Sequence, residues 1–264
     1  GFIPEVILYN TQLTDLQTQK VNTYLALKYG VTSGSNYISP VYDGTSNIAT
    51  ETLYDVATFG NRVFGVGIDK TGCLVQNQSK NQEGGLIAIS VDGAINILNS
   101  ADETKWTNDR NYIIMGDDNK SVSSFVRAGS TGNEPLPAIY DGCMIDRVNR
   151  HWKVQVKGEK APNVFISIPA NTSAETVKLP ALPSVGTLQS FETQKVYLVL
   201  NENADFTVDA NMQEVELTLN GTNYEATIAV NPNELANNTF YYTIVTRVNP
   251  CRENCLKTNK NVGS

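Results

Sequence analysis

The loop NENADFTVD, residues 201–209, places oxygen-bearing side chains at alternating positions between two expected strands. Calcium takes about six to eight oxygen ligands, and short loops supply them from Asn and Asp at odd spacing. The pattern predicts a weak calcium site formed by Asn201, Asn203, Asp205 and Asp209. The loop lacks the leading Asp, the Gly and the late Glu of an EF-hand loop. The alternative is a polar hairpin loop whose Asn and Asp side chains cap their own backbone.

A second kind of site, a flat aromatic platform for a sugar, is indicated in the N-terminal third. Tyr37, Tyr42 and Tyr54 fall in a polar stretch outside obvious strands, so we expect exposed rings there. Exposed aromatic faces offer sugars an apolar stacking surface. The alternative is that these rings face the core, as aromatic side chains of a β-sandwich commonly do.

Catalytic groups are sparse in this chain. His151 is the only histidine, and it lies next to Trp152 in a strand-like run, so we interpret it as structural. Acidic pairs occur at Asp117–Asp118 and Asp102–Glu103. A glycoside hydrolase needs two carboxylates about 5 to 10 Å apart, whereas acidic pairs in loops are usually solvated. No nucleophile elbow, Walker loop or dinucleotide-binding glycine pattern is present, so we predict no catalytic residues and no enzyme.

Charge and hydropathy limit the partners. The formal net charge is -7 and only 18% of the residues are charged, without a long Lys/Arg run. This balance gives no support to nucleic-acid binding. No apolar run reaches the roughly 18 residues that a membrane span needs, so we expect no membrane insertion.

Four cysteines, Cys73, Cys143, Cys251 and Cys255, allow three disulfide pairings. Cys251 and Cys255 are close enough in sequence for a local bridge in an oxidising compartment. A zinc site would need further Cys or His ligands, and the chain has a single histidine, so we expect no zinc site.

One stretch predicts a helix. Thr14 and Gln17 have the spacing of a capping box, and Gly30 follows the last helical turn at the position that ends helices in a left-handed conformation. An apolar stripe with the helical period is expected to pack on a sheet, and consists of Leu16, Val21, Tyr24, Leu25 and Lys28.

The rest of the chain predicts antiparallel β-structure. Short alternating or β-branched runs are separated by turn residues, with Asn220-Gly221 as a hairpin turn, while residues 31–60 are expected to be largely irregular. The expected strands cover residues 5–9, 62–68, 86–91, 111–116, 151–156, 163–168, 196–200, 214–219, 224–230 and 240–248.

This spacing predicts a mainly β fold of two antiparallel β-sandwich-like units with one N-terminal helix. The first unit covers residues 1–145, the second, immunoglobulin-like unit covers 146–249, and 250–264 form a tail or linker. A single continuous sandwich is the alternative.

Several motifs lie in the first 160 residues. EVILYNTQLTDLQTQKVNTYLALKYGVT is followed by FGVGIDKTGCLVQNQSK, YIIMGDDN and DRVNRHWKVQVKG. Together they resemble modules of large secreted Bacteroidetes surface proteins, in which the first motif closes a laminin-G/concanavalin-like domain. Met115 stands where that pattern has Trp. The resemblance implies a type IX secretion cargo of the adhesin-like kind, and it implies no catalytic residues. In this interpretation the helix is a structural strap.

We therefore expect a non-catalytic structural or adhesion module of a bacterial cell-surface protein, extracellular or on the outer-membrane surface. Its expected partners are host or environmental glycans or proteins and neighbouring domains of a longer chain. One alternative is a carbohydrate-binding module, with or without calcium. The other is a glycoside hydrolase with two carboxylates in a cleft. No other cofactor is expected.

Overall fold

The computed structural model of the protein is mainly antiparallel β-structure with one α-helix. It describes residues 3–39, 51–127, 145–158, 162–188, 190, 192–204, 206, 213–230 and 238–249. Besides helix α1 (Asp15–Tyr29) and a short 3-10 helix (Glu103–Lys105), it contains 15 strands. These are β1 (Tyr37–Ile38), β2 (Thr52–Tyr54), β3 (Asn61–Asp69), β4 (Leu74–Gln76), β5 (Gln78–Lys80), β6 (Ala88–Ser90), β7 (Asn111–Asp117), β8 (Phe125–Arg127), β9 (Ile145–Val148), β10 (Trp152–Lys157), β11 (Val164–Pro169), β12 (Thr193–Asn201), β13 (Gln213–Asn220), β14 (Asn223–Ile228) and β15 (Thr239–Asn249).

Local sequence signals set both ends of α1. The Thr14 hydroxyl accepts a hydrogen bond from the Gln17 backbone N–H, and the Gln17 side chain accepts one from the Thr14 backbone N–H, at 3.2 and 2.8 Å. Gly30 ends the helix in the left-handed conformation at φ 62°. The predicted capping box and glycine stop are therefore confirmed.

The expected strand at residues 5–9 does not form. In the described part of the chain, residues 3–9 make no backbone hydrogen bond and belong to no sheet. Their apolar side chains are exposed: Ile3 is 77%, Val6 69% and Leu8 89% exposed. The Glu5 carboxylate anchors the segment to α1 by accepting a 2.8 Å hydrogen bond from the Tyr29 hydroxyl and by pairing with Lys28 at 3.1 Å. This hydrogen bond and the nearby ammonium lower the pKa of Glu5.

Two sheets face each other and are joined at both edges. The first runs β4-β3-β7-β10-β15-β12-β13, with β9 on β15 and β8 on β9, and the second runs β13-β14-β11-β6-β5. At one edge β13 belongs to both sheets, because Leu217 pairs with β12 and Thr218 pairs with β14. At the other edge the two terminal strands, β4 and β5, are separated only by Asn77.

The main core lies between these sheets. Strands alternate as a half-buried sheet requires, so that Ile113 and Met115 of β7 point into the core together with Ile166 and Ile168 of β11. The Trp152 ring stacks on Tyr242 with a centroid distance of 5.4 Å. Because this core contains side chains from both sheets, burial of apolar area stabilises their face-to-face packing.

Helix α1 covers the outer face of the first sheet, together with the small sheet of β1 and β2. Ala26 and Leu27 pack against a cluster that includes Tyr112 and Ile114 of β7, the residues that alternate with the core positions of that strand. The expected role as a strap on a sheet is thus seen, but the expected stripe is wrong. Its five members are only half-buried, and the buried positions are Lys20, Thr23, Ala26 and Leu27.

Strand pairing crosses the predicted domain boundary near residue 145. The β10 strand pairs with β7 on one side and β15 on the other, and β11 pairs with β6. The pairing therefore does not confirm two units of which the second is immunoglobulin-like. Across residue 145 the two halves are joined by hydrogen bonds between strands, and both contribute side chains to one core. Residues 250–264 lie outside the described part.

The sequence also predicts no membrane insertion. Among the described residues, none of the helices has both the length and the apolar character needed to cross a membrane.

Candidate functional site

The outer face of the second sheet carries a depression. The strand register aligns one residue from each of four neighbouring strands in a row, and the side chains of this row lie on the outer face. The row runs from Lys80 on β5 through Ala88 on β6 and Ser167 on β11 to Glu225 on β14. On the opposite side of the same strands, the alternating residues such as Ile89 and Ile166 belong to the core. The depression is therefore a consequence of strand alternation.

This depression encloses about 440 Å³, a volume in the range of small-molecule sites. Its floor is formed by side chains of the sheet, and its walls by residues 93–95 on one side and Glu175 on the other. Glu175 is held to the floor by an ion pair with Lys80 at 3.1 Å. We call this feature the outer-face depression; its lining consists of Lys80, Ala88, Gly93, Ala94, Ile95, Phe165, Ser167, Pro169, Glu175, Asn220, Asn223 and Glu225.

A second depression, of about 240 Å³, adjoins the first toward the end of α1. The two share Lys80, Ala88 and Ile95 in their linings. The second is rich in amide side chains, and its lining also includes Tyr29, Gln76, Gln78, Gln82 and Asn99. Together the two depressions form a groove that runs from the helix end across β5 and β6 to β14.

Polar contacts hold parts of the depression in place. The Asn220 amide donates a 2.9 Å hydrogen bond to Glu225 Oε2 across the β13–β14 hairpin. The Ser167 side chain is 5% exposed, and within the described chain its hydroxyl has no hydrogen-bond partner. The Asn223 amide likewise has none among the described residues. Both side chains line the depression, so these donors and acceptors remain available to a ligand.

The wall at residues 93–95 belongs to a loop that is fixed by reciprocal hydrogen bonds. Gln78 Nε2 donates to the Asn96 carbonyl at 2.8 Å, and the Asn96 backbone N–H donates to Gln78 Oε1 at 2.7 Å. Asn99 Oδ1 accepts from the backbone N–H groups of Asn77 and Gln78, at 2.8 and 3.0 Å. Because the wall is already ordered, less conformational entropy is lost when a ligand binds.

Asn77 ties this loop to the closing edge of the sheets. Its side chain is fully buried, and its amide donates to Ser100 Oγ at 2.8 Å, to the Asp102 carbonyl at 3.0 Å and to Asp92 Oδ1 at 3.3 Å. Its Oδ1 accepts a 2.8 Å hydrogen bond from Trp106 Nε1. With these partners, Asn77 holds the loop at residues 92–106 against the turn between β4 and β5, and we call it the corner residue of the two sheets.

The predicted aromatic platform is wrong for two of its three residues. Tyr37 and Tyr54 are each 0% exposed and pack edge to face, with ring centroids 6.2 Å apart. The Tyr54 hydroxyl donates to the Phe59 carbonyl at 2.8 Å. The Tyr37 hydroxyl donates to the Val31 carbonyl at 3.2 Å and accepts from the Ser33 backbone N–H at 3.1 Å. Burial raises the pKa of Tyr37 to about 12. These rings fill the space under α1 and offer no face to a sugar, while Tyr42 lies outside the described residues.

The calcium hypothesis is only partly visible, since Asp205 and Asp209 lie outside the described residues. Asn201 is 2% exposed, and its Oδ1 accepts a 2.9 Å hydrogen bond from the Asn203 backbone N–H. This contact is the self-capping that the alternative predicts. In the part of the chain that the structure describes, no group of three or more His, Cys, Asp or Glu side chains is placed to hold a metal ion. The four-residue calcium site stays a prediction.

The acidic pairs and His151 have structural contacts. Asp117 is 1% exposed and forms ion pairs with Arg62 and Arg150. Asp118 Oδ1 accepts a hydrogen bond from the backbone N–H of His151, whose ring packs 4.8 Å from Phe206.

Asp102 caps the 3-10 helix, and hydrogen bonds from Thr104 lower the pKa of the Asp102 carboxyl. Glu103 pairs with Lys70 at the surface. Cys73 is exposed and outside a disulfide, and the other three cysteines lie outside the described residues.

The residues of the depression were missed from the sequence. Ser167, Asn223 and Glu225 come from segments recognised as strands, and alternation alone puts them on the face opposite the core. The signal that could have found them is the polar residue at every second position in NYEAT, together with the single Ser between two Ile residues in ISI. What the sequence lacks is the register that brings these segments together with Lys80.

The fold and the depression define a class of protein: two facing antiparallel sheets, with a helix on one outer face and a polar depression on the other. Residues 17–242 match a family described as a domain of unknown function, DUF8202. Because this match covers most of the 264 residues, the chain belongs to that family. No curated protein and no solved structure matches the chain.

Proposed function

We propose that this protein is a non-catalytic interaction module of a bacterial cell-surface protein, and that its ligand lies in the outer-face depression. The observation that carries the proposal is the contrast between the two outer faces. Helix α1 and the β1–β2 sheet cover the first face with a packed apolar cluster. The second face has a framed depression with available Ser167 and Asn223 side chains.

The non-catalytic part of the proposal is supported by the contacts of the titratable groups. Asp117 is engaged by two arginines, and the only histidine is buried against Phe206. The carboxylates of the depression, Glu175 and Glu225, contact Lys80 and Asn220. Carboxylates held by such partners suit the binding of a ligand's hydroxyl or amide groups.

The exposed segment at residues 3–9 supports a structural role beside the binding role. Its backbone is unpaired in the described chain, and Val6 and Leu8 face solvent. An unpaired segment of strand-like sequence is suited to adding a strand to a neighbouring sheet. We propose that it joins the module to an adjacent laminin-G/concanavalin-like domain of an extracellular protein of the Bacteroidetes type IX secretion class, in line with the motif resemblance.

Binding is tested with fluorescent beads that carry the 264-residue protein. The beads are applied to a printed array of neutral glycans, charged glycans, collagen and fibronectin. Retention that is lost in the Asn223→Ala/Glu225→Ala double variant and kept in the Glu216→Ala control would support the proposal. Glu216 suits as a control because it is exposed on β13 in the part that pairs with the first sheet. Retention equal in all three proteins would refute the assignment of the depression, and retention on no spot would refute the binding role.

The non-catalytic role has its own test. Each glycan that retains beads is incubated with the free protein, and newly formed reducing ends are measured. A release rate equal to that of a buffer blank is expected. Turnover that the double variant abolishes would make the protein a glycoside hydrolase instead.

The structural role predicts that residues 3–9 contribute little to the stability of the module itself. Val6→Asp/Leu8→Asp should leave the melting temperature unchanged, because both side chains already face water. The same variant should reduce self-association at high protein concentration. A clear fall in melting temperature would show that the segment packs on its own module, which would contradict the proposed role.

A further inference from the structure

The charges of the outer-face depression favour a neutral ligand. Its lining contains one lysine, Lys80, and two glutamates, Glu175 and Glu225. Lys80 and Glu175 already neutralise each other in their ion pair. An anionic ligand would meet the remaining carboxylate and the negative net charge of the chain, which is -7. A cationic ligand would meet a single carboxylate that already accepts a hydrogen bond from Asn220.

The available hydrogen-bonding groups are both donors and acceptors. The Ser167 hydroxyl can do either, the Asn223 amide has two N–H donors and one oxygen acceptor, and the carboxylate of Glu225 accepts only. Sugar hydroxyls donate and accept at the same time, so neighbouring hydroxyls can bridge such a set. The Asn220 hydrogen bond orients the Glu225 carboxylate before the ligand arrives.

Apolar surface for the carbon–hydrogen side of a sugar ring is present as well. Phe165 is half-buried in the lining, and Ile95 is 41% exposed on the wall. A ligand with polar edges and apolar faces satisfies both kinds of surface.

The continuation of the groove indicates a chain of sugars. The adjoining depression shares Lys80, Ala88 and Ile95 with the first, and its further lining is mostly amide and hydroxyl side chains. A single sugar would occupy one depression, whereas an oligosaccharide can follow the groove through both.

A peptide fits this surface less well. Bound peptides that extend along a sheet use unpaired backbone groups at an edge strand. Three of the four floor strands are paired on both sides, because β6 pairs with β5 and β11, β11 with β6 and β14, and β14 with β11 and β13. The groove crosses the terminal strand β5 instead of following its edge. Nor does the depression contain a deep apolar pocket for a side-chain anchor.

We infer that the outer-face depression and its continuation bind a neutral oligosaccharide, with Ser167, Asn223 and Glu225 as hydrogen-bonding residues and Phe165 as the apolar contact. The inference rests on the proposed function, because it names the ligand class of the same depression. It places the sugar site on the second sheet, away from the buried Tyr37 and Tyr54.

The test is isothermal titration of the 264-residue protein with six named probes. Cellohexaose, xylohexaose, mannohexaose and laminarihexaose are neutral, and hexagalacturonate and a heparin hexasaccharide are anionic. At least one neutral probe is expected to bind, with an affinity that changes less than about twofold between low and high salt because no charge is neutralised. Asn223→Ala and Glu225→Gln should each weaken that binding about tenfold, which corresponds to about 1.4 kcal/mol.

Glu216→Gln is the matched control and should bind as the unmodified protein does. Far-ultraviolet circular dichroism and the melting temperature of each variant separate a lost contact from a lost fold. Absence of binding to every neutral probe would overturn the inference, as would tighter binding of an anionic probe. Unchanged affinity in both depression variants would overturn the location.

These outcomes separate the inference from the proposed function. If the coated beads bind collagen or fibronectin through Asn223 and Glu225 while no oligosaccharide binds, the interaction module stands and only the sugar inference falls. If bead retention and oligosaccharide binding both ignore the depression variants, the proposed site falls with the inference.

Discussion

Replacement of Asn77 tests whether this residue holds together the two terminal strands, β4 and β5, of the facing sheets. Asn77→Ala removes an amide that makes four hydrogen bonds from the single residue between β4 and β5. Ser100 and Asp92 keep each other as partners, through a 2.8 Å hydrogen bond. The Trp106 indole N–H and the Asp102 carbonyl lose the Asn77 partner.

The expected loss follows mainly from the indole, because Trp106 is buried whereas Asp102 is exposed and its carbonyl can accept from water. A buried polar group left unsatisfied costs about 1–3 kcal/mol, so the free energy of unfolding should fall by about 2 kcal/mol. For a chain of this size that corresponds to a fall in melting temperature of about 6 °C. Urea unfolding followed by tryptophan fluorescence and by circular dichroism measures the change. Asn171→Ala is the control, because Asn171 is exposed and its replacement should change stability by about 0.5 kcal/mol or less.

An isosteric variant sharpens the same test. Asn77→Asp keeps an acceptor for Trp106 but puts a carboxylate where an N–H now lies 3.3 Å from the carboxylate of Asp92. Burial and this like charge raise the folded-state pKa of the introduced carboxyl above its unfolded value of about 3.9. Stability from its protonated form is therefore present below about pH 4 and lost as the pH rises. The stability deficit should be larger at neutral pH than at about pH 4. A deficit of Asn77→Ala below about 1 kcal/mol, or one of Asn77→Asp that does not depend on pH, would refute the corner assignment.

Three further predictions concern the helix and the buried tyrosines. Leu27→Ala should lower the free energy of unfolding by about 3 kcal/mol, because Leu27 is 1% exposed in the cluster under α1. Leu25→Ala should lower it by only about 1 kcal/mol, because Leu25 is half-buried. Equal losses in urea unfolding would contradict the observed helix face. Gly30→Ala should lower the free energy of unfolding more than Gly34→Ala does in the same assay. Both glycines have positive φ, but only at Gly30 would a Cβ lie 2.3 Å from a backbone oxygen of β5. Equal losses would mean that the close approach is absent. Burial raises the pKa of Tyr37 to about 12, so its stabilisation is complete below the unfolded pKa of about 10 and lost as the pH rises above it. A urea midpoint that stays constant from about pH 8 to about pH 11 would contradict this.

Part of the fold follows from short-range signals. The capping box at Thr14, the stop at Gly30 and the hairpin at Asn220-Gly221 each depend on residues within one turn, and the structure has all three. The strands from β10 to β15 were found because period-two alternation is a property of the extended backbone itself. The mainly β class was therefore accessible from the sequence.

Other features depend on what a segment meets in space. The stretch at residues 5–9 has strand composition, but no described strand pairs with it, and most of its apolar side chains are exposed. Tyr37 and Tyr54 lie in a polar segment that reads as surface, yet α1 covers them when it packs on β7. The helix has half-buried apolar residues beside its buried stripe, and only the shape of the sheet selects Ala26 and Leu27 as the contact.

The sequence by itself determined the local elements, the low and negative charge balance and the scarcity of catalytic side chains, because these depend on residue identity and near neighbours. The tertiary structure alone decided the closure at Asn77, the pairing across residue 145 and the meeting of Lys80, Ser167 and Glu225 on one face. Lys80 and Glu225 lie 145 positions apart in the chain. Their proximity arises from strand register, which is fixed when both sheets bury their apolar faces in the same core.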